Sequence, residues 1–140
     1  MIMLAPPLRP DRDLLSKVIL WPEDDPSIAT ILRVGFTDHG FRNLFVSTTH
    51  LGSLCLVSRL NPDIILTDME KPRYGRSGEL LARYVRQSPA FAQTPLVLCS
   101  GYTLIEPAWE ELFDIVFPKP FDVRDAIAMI RRVFETNGRP

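Results

Sequence analysis

Four apolar runs in this chain are each followed at once by a residue able to handle charge. Val18-Ile19-Leu20-Trp21 leads to Glu23, Asp24 and Asp25. Ile64-Ile65-Leu66 leads to Asp68, Leu96-Val97-Leu98-Cys99 to Ser100, and Ile115-Val116-Phe117 to Lys119. If the runs are strands of one parallel sheet, acids, a hydroxyl and an ammonium reach a single rim. Converging carboxylates repel, and without a counter-charge some would stay protonated. A hard divalent cation resolves that conflict. Mg²⁺ takes oxygen ligands, keeps several waters, and is held by one or two carboxylates plus a phosphate. Ser100 and Lys119 would then act as donors to a phosphoryl group, whose transfer needs mainly positioning and charge neutralisation. Asp68 is the candidate nucleophile, forming an aspartyl phosphate.

The elements that must position these residues can be read from periodicity. Pro26 suits the first turn of a helix, and Ile28, Ile31, Leu32 and Phe36 fall on one face at helical spacing. Gly40 marks its exit, and Leu44-Phe45-Val46 is the next strand. Leu51, Leu54, Cys55 and Ser58 form a second stripe, ending before Asn61-Pro62. A third helix over Glu79–Arg86 would turn Leu80, Leu81, Tyr84 and Val85 inward. A short or distorted fourth helix is expected over Pro107–Leu112. The last helix carries Val123, Ala126, Ile127, Ile130, Val133 and Phe134, and frays at Asn137-Gly138. Five continuous apolar runs alternating with helices predict an α/β fold: a doubly wound, five-stranded parallel sheet with both faces covered. Ligands of such sheets bind beyond the carboxyl ends of the strands. Residues 1–16 read as a loose N-terminal extension and 17–137 as the folded domain. The chain ends soon after the last helix, so no output domain is expected.

Composition narrows the function classes. The chain has 140 residues, 46% hydrophobic and 24% charged, enough for one domain with a real core. A net charge of −1 argues against nucleic-acid binding driven by bulk electrostatics. No apolar run approaches the roughly 20 residues that span a bilayer, and the start MIMLAPPLRPDRD lacks a secretion signal. A cytoplasmic location is expected, with no membrane partner. Cys55 and Cys99 lie in apolar segments without His or Cys neighbours at metal-ligand spacing, and read as reduced core residues. His39 and His50 read as surface histidines, and Trp109 as half-exposed. No GxGxxG or GxxxxGK[ST] follows any strand, which removes nucleotide-binding readings. Asp25, just before Pro26, reads as a helix cap.

The segments VILWPEDDPSI, PDIILTDMEKP, PLVLCSG and FPKPF resemble, in order and spacing, the response-regulator receiver family of the CheY-like superfamily. The resemblance covers about residues 17–137 and implies a strand order of 2-1-3-4-5. It implies a stand-alone, single-domain response regulator rather than an enzyme acting on a separate substrate. Asp68 would accept a phosphoryl group from a histidine kinase or phosphotransfer protein, with Mg²⁺ as cofactor, and an unnamed downstream protein would read the result. Asp24 is implied as a direct metal ligand and Glu23 as one acting through water. Asp68 and the backbone carbonyl of Glu70 complete the set. Ser100 is implied as donor to a phosphoryl oxygen, Gly101 as leaving space beside it, and Lys119 as the phosphate-pairing lysine before a cis Lys119–Pro120 bond. The last strand and helix are a common pairing surface in that family, so a homodimer is a further implied partner, and any such dimer is expected to be atypical because the fourth helix is altered.

The chain departs from the family pattern at several places. The loop after Asp68, MEKPRYGRSGEL, is about two residues longer than usual, and the stretch from Ser100 to Lys119 is shorter by nearly one helical turn. Val116 stands where the family has an aromatic, and Phe117, one residue later, points to the other face. These departures motivate a second reading, a degenerate receiver used as a protein-interaction module with little phosphorylation. Glu70 is compatible with three roles: strengthening the metal site, repelling the phosphoryl group, or pairing with Lys119. It also fits a phosphatase with an aspartate nucleophile, although the Lys-Pro motif and the acids after the first strand suit a receiver better.

Overall fold

The computed structural model describes residues 13–68, 77–101 and 107–137. The elements run β1 (Ile19–Pro22), α1 (Pro26–Asp38), β2 (Leu44–Ser47), α2 (His50–Leu60), β3 (Ile64–Thr67), α3 (Ser77–Gln87), β4 (Leu96–Ser100), α4 (Pro107–Leu112), β5 (Ile115–Pro118) and α5 (Val123–Asn137). A helical turn over residues 13–16 precedes β1. All neighbouring strands are parallel and the order is β2-β1-β3-β4-β5. This is the expected doubly wound sheet, and α4 is the expected short helix.

Burial explains which runs became which strands. Every residue of β1, β3 and β4 is buried, because each is flanked by strands and covered on both faces. The expectation of full burial fails for β2 and β5. They lie at the sheet edges, and in each only alternate or partial burial is seen. On one face, Trp21, Leu66, Val97 and Cys99 pack against Leu32 and Phe36 of α1 and Ile127 and Ile130 of α5. On the other, Leu20, Ile65, Leu96 and Leu98 pack against α2, α3 and α4 through Val57, Leu81, Val85 and Trp109. Each fully buried large side chain contributes about 1.5–3 kcal/mol, so these two layers hold the rim residues in place.

Several sequence expectations shift by part of a helical turn. The inner face of α1 is Ala29, Leu32 and Phe36, while Ile28 and Ile31 are exposed, Ile31 by 60%. In α3 the inner residues are Leu81, Ala82 and Val85, and Leu80 and Tyr84 face outward. In α2, Ser53 and Val57 are buried and Cys55 is exposed, so only Cys99 is a core cysteine; both are free thiols. Leu14 is buried in the α1–α5 layer, so the stretch read as a loose extension joins the fold by residue 14. Trp109 is buried rather than half-exposed. No helix among the described residues is long and apolar enough to cross a membrane.

Helix ends follow local chemistry. Asp25 caps α1, accepting from the Ser27 and Ile28 amides. Asn61 ends α2 in the left-handed region at φ 51°, and Gly40 follows α1 at φ 91°. Asp122 and Asp125 cap the start of α5 reciprocally, each accepting the other's amide. At the opposite rim, Arg86 at the end of α3 donates to the carbonyls of Leu112, Ala92 and Thr94 and to Asp114 Oδ2. The same Asp114 oxygen accepts from the Leu96 amide where β4 begins.

Candidate functional site

The carboxyl ends of the three central strands and of β5 meet at one rim. Pro22 ends β1 just before Glu23, Thr67 ends β3 just before Asp68, Ser100 is the last residue of β4, and Pro118 ends β5 just before Lys119. The Lys119 amide donates to the Ser100 carbonyl at 2.8 Å, which fixes the lysine backbone against the end of β4. The Lys119–Pro120 bond is cis, as expected. The Lys119 ammonium lies 3.5 Å from Asp68 Oδ2, with side-chain exposures of 40% and 32%. Ser100 is buried at 5% exposure. Among the described residues, no atom lies within 4 Å of where a Cβ on Gly101 would project.

Charges at this rim act on one another. Glu23 is held above the ordinary carboxylate value of 4.5, first by burial, with Asp68 and Asp24 adding to the effect. The Asp25 amide, which donates to Glu23 Oε2 at 3.0 Å, and the Lys119 ammonium work in the opposite direction. Beneath them the Cys99 thiol is pushed up to about 12, chiefly by burial, so it stays neutral and serves as packing. The structure thus brings Glu23, Asp68 and Lys119 together, with Ser100 at the end of the adjoining strand. Asp24 adjoins Glu23 and is exposed. The backbone carbonyl of Glu70 and the long loop after Asp68 lie outside the described residues.

The donor set bears on a metal. Among the described residues, no group of three or more His, Cys, Asp or Glu side chains is gathered tightly enough to cage a cation. Mg²⁺ does not need such a cage, since one or two carboxylates and several waters satisfy it. Burial is the first cause of the rise at Glu23, and the carboxylates of Asp68 and Asp24 add to it against the single ammonium of Lys119, a cluster whose charge a divalent cation would relieve. The residues present therefore fit Mg²⁺.

A groove of about 710 Å³ shares this rim and runs between α1 and the β5–α5 connection. Glu23, Asp68 and Lys119 border it, and Ile28 and Ile31 face Phe121 and Val123 across it. Gly35 permits the close approach of the two walls: a Cβ there would sit 2.7 Å from Val123 Cγ2. Sequence periodicity placed Ile28 and Ile31 inside. The signal for their true place was the spacing Ile28, Ile31 and Val34, a second apolar stripe beside Ala29, Leu32 and Phe36. Across the sheet, Val116 is 38% exposed, whereas Phe117 packs 4.4 Å from Phe121, centroid to centroid. The residue at the usual aromatic position is thus small and solvent-facing, and the aromatic next to it belongs to the opposite layer.

No family model matches the sequence. Among curated proteins the chain is similar to the DNA-binding transcriptional regulator NtrC of Salmonella typhimurium, with 26% identity over 125 residues. The match takes in 84% of this chain and 25% of NtrC, so the chain spans about a quarter of that relative's length. The structure of the chemotaxis protein CheY4 from Vibrio cholerae superposes with a TM-score of 0.70 at 19% identity, covering 84% of this chain and 98% of CheY4. The receiver domain of a sensor histidine kinase from Pseudomonas aeruginosa, which holds a magnesium ion in its active-site cleft, gives a TM-score of 0.70 at 19% identity, covering 84% and 96% of the two chains. With the sheet order β2-β1-β3-β4-β5, the chain has the CheY-like fold of response-regulator receiver domains.

Proposed function

We propose that the chain is a phosphoacceptor in phosphorelay signalling, taking a phosphoryl group on Asp68 from a phosphohistidine of a sensor kinase or phosphotransfer protein. The observation that carries this reading is the Lys119 ammonium 3.5 Å from Asp68 Oδ2, at a rim that also holds the carboxylates of Glu23 and Asp24. An Asp68 carboxylate oxygen attacks phosphorus, the P–N bond to the imidazole breaks, and its electron pair stays on the imidazole nitrogen. The product is an acyl phosphate on Asp68. Lys119 offsets charge on the transferring group, and the Ser100 hydroxyl donates to one of its oxygens. Glu23, Asp24, Asp68 and the Glu70 carbonyl would hold Mg²⁺, which when bound supplies neutralisation of the phosphoryl oxygens. The groove walled by Ile28, Ile31 and Phe121 gives the phosphodonor protein an apolar surface continuous with Asp68. No separate substrate is turned over: transfer and hydrolysis both take place on the chain's own side chain, and the modified domain then acts on a downstream protein.

Incubation with Mg²⁺ and acetyl phosphate or phosphoramidate tests this. Intact-mass measurement is expected to show a gain of one phosphoryl group that is absent without Mg²⁺ and absent in Asp68→Asn. The second reading, a degenerate receiver acting as an interaction module, is favoured by Val116 at the usual aromatic position and by the six-residue α4. It predicts no mass gain with any donor.

A further inference from the structure

Two chain segments leave the proposed site and both lead into helices tied to each other. One follows Asp68 and enters α3; the other follows Ser100 and enters α4. Glu79 is the third residue of α3 and Trp109 the third residue of α4. The Trp109 indole N–H donates to Glu79 Oε1 at 3.3 Å. The other carboxylate oxygen of Glu79 accepts from Arg83 Nε at 3.0 Å and Nη2 at 2.7 Å, one turn along α3. Arg83 thus orients the carboxylate from one side while its remaining oxygen holds the indole. The ring is 5% exposed and belongs to the layer of Leu81, Val85, Leu98 and Leu112. The Glu79 side chain is 14% exposed, so little water competes for the bond.

We propose that the Glu79–Trp109 hydrogen bond is a coupling element between site and surface: it holds α4 on α3 in the resting arrangement and is released when Asp68 is phosphorylated. The inference rests on the phosphoacceptor reading above. A phosphoryl group adds about −1.5 to −2 charges between the ends of β3 and β4, next to both outgoing segments. The Lys119 amide is bonded to the Ser100 carbonyl, so a pull on either residue is felt at the end of β4. Downstream of that end lies a helix of six residues. So short a helix has little hydrogen bonding of its own and takes its position from tertiary contacts. Trp109 and Leu112 are its buried residues; the indole N–H links the start of α4 to α3, while Arg86 Nε holds the Leu112 carbonyl at its other end. Val116, small and facing solvent, offers no ring that could swing to carry the signal along β5.

Coupling is reciprocal: if phosphorylation releases the bond, losing the bond favours phosphorylation. Trp109→Phe keeps a ring in the layer and removes the donor; Glu79→Leu removes the acceptor and leaves the indole. Each is expected to raise the rate of Asp68 phosphorylation by acetyl phosphate and Mg²⁺ on the order of tenfold, equivalent to about 1.4 kcal/mol. In ¹⁵N-labelled protein, the Trp109 indole resonance, assigned by its loss in Trp109→Phe, is expected to shift upfield on phosphorylation and to stay put in Asp68→Asn. If the protein gains phosphoryl mass while that resonance stays in place and both variants react at the parent rate, the coupling is wrong and the phosphoacceptor reading stands. Absence of any mass gain overturns both. Should Trp109→Phe fail to fold, Glu79→Leu carries the rate test alone.

Discussion

Replacing Arg86 by Ala should remove more stability than any other single surface change at the amino-terminal rim of the sheet. Arg86 makes four donations: Nε to Leu112 O at 2.9 Å, Nη1 to Ala92 O at 3.0 Å and to Thr94 O at 2.8 Å, and Nη2 to Asp114 Oδ2 at 2.8 Å. Three acceptors are backbone carbonyls at the places where α4 ends and the chain approaches β4. A net value of about 1 kcal/mol per bond suits a side chain that water can partly reach, and Arg86 is 21% exposed. The loss is therefore roughly 3–4 kcal/mol. For a domain of this size that lowers Tm by roughly 10–16 °C. Arg86→Lys, a point charge that cannot span the four acceptors, should lose about half as much. Thermal and urea unfolding followed by circular dichroism provide the measurement. Ser100 and Lys119 stand at the far ends of β4 and β5, so phosphorylation of the folded variant at low temperature should stay within about twofold of the parent. A Tm drop under about 4 °C would refute the reasoning, because the carbonyls would then be finding water at no cost.

Gly35→Ala places a Cβ 2.7 Å and 2.8 Å from the two γ-carbons of Val123, which is stiff and cannot turn both away. Overpacking of this kind costs about 1–3 kcal/mol against a helix-propensity gain of about 1 kcal/mol. The single variant should therefore be destabilised, and the same change made in a Val123→Ala background should stabilise. Stabilisation by the single variant alone would contradict the packing. Glu23 offers a pH test. Its folded-state value lies above the unfolded one, so the folded state binds that proton more tightly. Its contribution to stability is present at low pH and is lost as pH rises from 4.5 through the raised value. Asp68→Asn removes one cause of the rise, so Glu23 should titrate lower in that variant by ¹³C NMR; an unchanged titration would show that Asp68 does not act on it.

The parallel sheet was legible because β1, β3 and β4 are buried on both faces, and a strand so placed has no alternative to a continuous apolar run, whereas the strand order came from the resemblance to receiver domains. The rim residues were legible for a related reason: a strand end fixes where the next side chain goes. Helix faces were less so. In α1 the stripes Ala29-Leu32-Phe36 and Ile28-Ile31-Val34 are offset by one or two residues, and only the packed sheet decides which turns inward. In α4, six residues span under two turns, too few for a period, so nothing in the pattern separated a buried Trp109 from an exposed one. The ties of Arg86 and of Glu79 join residues far apart in sequence, where spacing carries no information.

The two rims of the sheet treat charge in opposite ways, and that contrast is an argument for function that owes nothing to resemblance. At the amino-terminal rim three charges are consumed by structure: Arg86 by three carbonyls and Asp114, Asp114 also by the Leu96 amide, Asp63 by the Val18 amide. At the carboxyl-terminal rim Glu23, Asp24 and Asp68 are set near one another with Lys119 opposing them, and Glu23 is pushed up, first by burial and further by Asp68 and Asp24. A sequence shaped only for folding would place a neutral or basic residue in that cluster, since like charges brought together cost stability. Departures from local consistency of this sort are found where a site must bind or react. One ammonium, Lys119, opposes three carboxylates there, and a phosphoryl group adds further negative charge, so a divalent cation already bound favours its entry. Phosphorylation should therefore rise with Mg²⁺ concentration up to saturation of the site, at fixed donor, and Lys119→Met should retain Mg²⁺ binding while losing the phosphorylated state.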